Sequence, residues 1–171
     1  NTATLFSSKG ASAESVYLTR DHNNAPVAVW TERKSDELKL FFAISSDGGK
    51  VFSEKISLPL TSDVATHSEG MPKVAFKKDG TIVAAYEKKA PTETNKYAGA
   101  IYYRASTDGG KTWKNMDKAN VHADHHALWV NPKRDSHLIN GNDGGVNITY
   151  DDGNNWFLAN TPAVGQFYAV A

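Results

Sequence analysis

The sequence predicts an all-β chain built from β-propeller blades, and three observations predict it. One octet pattern occurs three times, each copy follows runs rich in β-branched and aromatic residues, and turn-forming residues separate those runs. The octets occupy 45–52, 106–113 and 149–156, and share the order hydroxyl, any, Asp, any, Gly, any, any, aromatic. Their aspartates lie 61 and 43 residues apart, periods that suit one four-stranded blade each.

The elements follow in chain order. Runs at 16–19, 26–30 and 38–44 read as three strands before the first octet, with 55–60 as the outer strand after it. Runs at 72–76, 81–86 and 100–104 precede the second octet, and 127–130, 137–140 and 146–149 the third. Turns fall at 21–24, 79–80 and 131–133, where Asp, Asn, Gly and Pro concentrate.

Each octet reads as the hairpin turn between the third and fourth strands of a blade. Glycine accepts positive φ, the Asp carboxylate takes backbone N–H groups, the hydroxyl ties in the incoming strand, and the aromatic packs between sheets. Ser45, Asp47, Gly49 and Phe52 are therefore expected to be structural. The same holds for Ser106, Asp108, Gly110 and Trp113, and for Thr149, Asp151, Gly153 and Trp156.

The blades cover about 14–60, 70–118 and 125–160 of a single domain or fragment spanning 1–171. Residues 162–171 read as the start of a further blade, and 2–6 as an isolated outer strand. A closed propeller takes about four to eight blades. The expected partners therefore include remaining blades of a longer chain, or copies of the chain itself; pairing of the two termini into a makeshift fourth blade is the third route.

Composition bounds the function. The chain has 171 residues, 40% of them hydrophobic, enough for a packed core. Nineteen basic side chains balance nineteen acidic ones, which argues against a nucleic-acid partner. There is no cysteine, hence no disulfide or thiolate chemistry. The longest apolar stretches, at 41–44 and 82–86, are far too short to span a bilayer. A start at Asn1 reads as a processed or excised piece.

The octets resemble the Asp box, or bacterial neuraminidase repeat, of sialidases and related propellers. The second copy matches that pattern throughout; the first has Val51 and Phe52, and the third Thr149 and Asn155, where the family usually differs. Over about 14–113 the chain resembles exo-sialidase-type proteins, through Pro26-Val27-Ala28-Val29-Trp30, Gly70-Met71-Pro72 and Asp79-Gly80-Thr81. Over about 122–171 it resembles sortilin-type glycosyl-hydrolase-like propellers, through Asp124-His125-His126, Asn142-Asp143-Gly144-Gly145 and Gln166-Phe167-Tyr168. The resemblance implies a secreted protein, extracellular or periplasmic, that meets a glycan or a protein surface.

Sialidase chemistry, as the resemblance implies it, uses three arginines, a Tyr–Glu pair and an acid/base Asp. The four arginines here are Arg20, Arg33, Arg104 and Arg134, none in the family's Arg-Ile-Pro context, and Tyr86-Glu87 reads as a strand end. The expected function is a non-catalytic module for glycan or protein binding or scaffolding. The alternative is a glycoside hydrolase completed by further blades or another subunit.

Strand direction alternates within a blade, so the octets mark one rim. The other rim carries the segments 31–37, 61–70, 87–98, 114–126, 140–145 and 162–166. Its titratable groups make Arg33, His67, Glu69, Asp124, His126 and Asp143 the candidate ligand-binding residues. Glu69 and Asp124 are a candidate carboxylate pair for glycoside hydrolysis, set against a turn cap and a strand start. His122, Asp124 and His126 are candidate ligands for a divalent ion, although strand alternation turns His125 away from His126. No other cofactor is expected.

Overall fold

The computed structural model describes residues 6–67, 70–89, 91, 93, 96, 99–115, 125–142 and 144–159, without the side chains of Ile101, His125 and His126. Among these residues there is no helix and there are twelve strands. They form three four-stranded antiparallel sheets, each ordered as the chain runs. Sheet 1 comprises β1 (Ser12–Arg20), β2 (Pro26–Lys34), β3 (Glu37–Ile44) and β4 (Ile56–Leu60). Sheet 2 comprises β5 (Lys73–Phe76), β6 (Ile82–Lys89), β7 (Gly99–Ser106) and β8 (Lys114–Asn115). Sheet 3 comprises β9 (His125–Val130), β10 (Leu138–Asn142), β11 (Gly145–Thr149) and β12 (Phe157–Leu158). The architecture is all-β and propeller-like, an incomplete set of blades.

Three apolar layers hold the sheets. Val27, Val29, Leu40, Phe42 and Leu58 of sheet 1 meet Val74, Ile82, Ala84 and Tyr86 of sheet 2. Side-chain alternation sends Val83, Ala85 and Tyr103 through the opposite face of sheet 2 onto Leu138 and Trp156 of sheet 3. Ala28, Trp30, Phe41 and Ala43 fill the far face of sheet 1, against Phe6 and Phe52. The central strand β2 is thus buried on both faces, which explains its nearly unbroken apolar run. Fully burying one such side chain contributes about 1.5–3 kcal/mol.

Polar links set the sheets against one another. The Val74 N–H donates to the Tyr17 hydroxyl at 2.5 Å, joining β1 to β5; burial pushes that phenol up from its ordinary value. Arg104 donates to the carbonyl of Pro59 at 3.2 Å, joining β7 to β4. Lys77, buried, pairs with Asp152 of the third octet.

The rim opposite the octets is tighter than expected. Residues 31–34 continue β2, and β3 begins at Glu37, leaving a two-residue turn at Ser35 and Asp36. Ser35 adopts φ 51°, as such hairpins demand, and Lys34 pairs with Glu37 across it. Likewise β6 runs on to Lys89 and β10 to Asn142. In each case the backbone pairing runs into the polar residues, with Lys34 and Lys89 exposed and Asn142 buried, so polar composition misplaced the strand ends. Residues 2–5 and 162–171, read as an outer strand and a further blade, lie outside the described residues.

Candidate functional site

The three octets fold alike. In the first, Ser45 Oγ donates to Asp47 Oδ1 at 2.9 Å and accepts the Gly49 N–H at 2.7 Å. In the second, Ser106 Oγ donates to Asp108 and accepts from Gly110, both at 2.8 Å. In the third, Thr149 Oγ1 repeats both contacts with Asp151 and Gly153 at 2.9 Å. The carboxylate then takes the N–H four residues on: Val51 at 2.8 Å, Thr112 at 2.9 Å, Asn155 at 2.8 Å. The donors lower all three carboxyls below the ordinary range, led by the Val51 N–H on Asp47, the Thr112 N–H on Asp108 and the Asn155 side chain on Asp151.

Positive φ at Gly49 (100°), Gly110 (90°) and Gly153 (78°) turns the chain back. Trp113 and Trp156 pack between sheets as the sequence suggests, whereas Phe52 packs on the far face of sheet 1. Phe52 meets Phe6 at 5.1 Å, Trp113 joins the layer between sheets 1 and 2, and Trp156 stacks on Tyr103 at 5.1 Å. The hydrogen-bonding capacity of these carboxylates is largely committed to turns.

On the opposite rim lies a groove of about 490 Å³ between sheets 1 and 2. Arg33 at the end of β2, the 62–67 linker after β4, the end of β6 and Lys96 line it. The linker is held as an extra edge. Val64 bridges Lys88, the Ala65 N–H donates to the Glu87 carbonyl at 3.0 Å, and the Lys89 N–H donates to the Asp63 carbonyl at 3.3 Å. Asp63 also lies 3.5 Å from the Lys88 ammonium. Burial pushes the Asp63 carboxyl up, but the Thr61 hydroxyl and Lys88 overcome this and leave it below the ordinary value.

His67 turns the linker towards Gly70, whose N–H donates to His67 Nδ1 at 3.1 Å. That acceptor role leaves the neutral ring's proton on Nε2. A Cβ on Gly70 would lie 2.8 Å from the imidazole and 2.9 Å from Glu87 Oε2, so a larger residue there would have to displace one of those side chains. Glu87, 9% exposed, therefore forms the groove's inner wall.

The groove brings together Arg33 and His67 of the expected set and places them beside Ser62, Asp63, Glu87, Lys89 and Lys96. Glu69, His122, Asp124 and Asp143 lie outside the described residues, so their proposed carboxylate pair and ion site do too. His126 lies on β9, its side chain likewise outside. No group of three metal-ligating side chains occurs among the described residues.

Glu32, within the 31–37 segment that the sequence places on this rim, is committed elsewhere. Only 4% exposed, its Oε1 accepts from Ser8 N–H at 3.1 Å, Trp30 Nε1 at 2.8 Å and Lys55 Nζ at 2.7 Å. Glu87, read in sequence only as a strand end, was not among the candidate ligand-binding residues. Asp63, Lys89 and Lys96 fall within the rim segments 61–70 and 87–98 but were not singled out there as candidates.

No model of a known protein family matches the chain, and no curated protein does. Among solved structures, a protein of unknown function from Dyadobacter fermentans DSM 18053 is similar, with a TM-score of 0.54 and 15% identity over 90% of this chain and 55% of that one. At that identity the likeness shows the fold alone. The chain spans about half the length of the structure it matches.

Proposed function

We propose that the chain is a non-catalytic Asp-box propeller module that binds a glycan outside the cytoplasm, through the groove between sheets 1 and 2. One contrast carries the reading. The octet carboxylates are occupied by their own turns, whereas Arg33, Lys89 and Lys96 in the opposite groove pair with no carboxylate among the described residues. The repeated hydroxyl–Asp–backbone geometry supports the Asp-box assignment, since three separate segments build the same turn from the same residue types.

Further blades or a second copy have a surface to meet. Trp129, Ile139, Ile148 and Phe157 form one cross-strand row on sheet 3, with Phe157 59% exposed. A glycan array run beside a panel of fluorogenic glycosides tests the proposal. Retention of glycans without turnover is the expected result; turnover by the purified chain contradicts it.

A further inference from the structure

We infer that the groove selects ligands carrying an anionic substituent, a carboxylate or a sulfate ester on a saccharide; this rests on the glycan reading above. The argument is a charge and donor count at one place. The groove is lined by three cationic side chains, Arg33, Lys89 and Lys96, against two acidic ones, Asp63 and Glu87. Asp63 is neutralised by Lys88 at 3.5 Å, and Glu87 is buried in the wall behind Gly70. Arg33, Lys89 and Lys96 face the same space without a described carboxylate partner. The Ser62 hydroxyl and the Nε2–H of His67 add neutral donors. An excess of cationic donors matches a group that only accepts, and ionised acceptors form the stronger bonds.

A second groove on the chain shows that this imbalance is local. Beside the β2–β3 hairpin, Ser8, Glu32, Lys34, Glu37, Lys39 and Phe41 line a space of about 80 Å³. There Glu37 pairs with Lys39 at 3.0 Å and Glu32 with Lys55 at 2.7 Å, so charge is largely cancelled within the protein. At about 490 Å³, the groove between sheets 1 and 2 also has the room for a small saccharide.

The test is calorimetric titration of the whole chain at low salt with four probes: a monosulfated disaccharide, a uronate-containing disaccharide, the matched neutral disaccharide, and inorganic sulfate. The two anionic disaccharides should bind at least about tenfold more tightly than the neutral one, and Arg33→Ala or Lys89→Ala should remove most of that advantage. Added salt at 0.5 M should erode it as well. Both variants alter exposed or half-buried side chains, and an unchanged melting temperature shows that they fold. Equal affinity for neutral and anionic disaccharides overturns the charge inference and leaves the glycan reading standing. Inorganic sulfate bound alone, in an Arg33-dependent way, supports the charge inference and overturns the glycan reading. No binding by any probe overturns both.

Discussion

Replacing Glu32 with Gln removes one charge from a site that is otherwise complete. Glu32 Oε1 is the common acceptor for Ser8, Trp30 and Lys55, and Lys55 lies 4.2 Å from the Phe41 ring centroid. Burial alone pushes the carboxyl up, but those donors overcome it and hold it at about 2, against an ordinary 4.5. A gap of that size corresponds to about 3 kcal/mol of native stability at neutral pH. Lys55 keeps 28% exposure, so its ammonium regains some water once unpaired. The cost should therefore be about 2–3 kcal/mol, towards the low side of the range for breaking a fully buried pair. The sign follows from the lowered native pKa: the stabilisation is complete above the unfolded value and fades as pH falls towards 2. Urea unfolding of wild type and E32Q at pH 7, and then stepwise down to pH 2, reads both effects. A gap under about 0.5 kcal/mol at pH 7, or one that stays constant down to pH 2, refutes the reasoning.

Other outcomes follow from the same contacts. Trp156→Ala should cost about 3–5 kcal/mol in chemical denaturation, because the indole is 6% exposed and stacked on Tyr103; a loss under about 1 kcal/mol would place it outside the core. Gly70→Ala should disturb the 67–70 turn and weaken groove binding, since its Cβ meets His67 and Glu87; binding indistinguishable from wild type would deny that close approach. The purified chain should not hydrolyse sialosides, and turnover lost on mutating Arg33 would contradict this.

The octets were legible because each is a local code. Hydroxyl, carboxylate, glycine and aromatic all act within eight residues, so three copies in register disclosed three hairpins and, with the runs before them, the sheets. Strand ends were less legible. Arg33 and Lys34 look like loop residues by polarity, yet the Ser35 turn keeps them paired to Leu38 and Glu37. The groove was half legible: alternating strand direction put Arg33, His67 and the 61–70 segment on one rim, but not the pairing of that segment with β6. Asp63 reaches Lys88 only because residues 63–65 run back along β6, a tertiary contact with no periodic trace. Glu32 shows the opposite failure. A charged residue in a polar segment looked available, and the fold spends it on an internal ion pair.

The division of labour between the rims is tested most directly by a paired comparison of four variants. Arg33→Ala and Lys89→Ala alter the groove, and Asp47→Ala and Asp108→Ala alter the octets. Affinity for the monosulfated disaccharide and melting temperature are measured for each. The account predicts that the groove variants lose about fivefold or more in affinity at unchanged melting temperature. It predicts that the octet variants melt at a lower temperature, as when a turn loses its side-chain cap, while the folded fraction binds as wild type. Equal loss of affinity from both rims, or octet variants as stable as wild type, would contradict it.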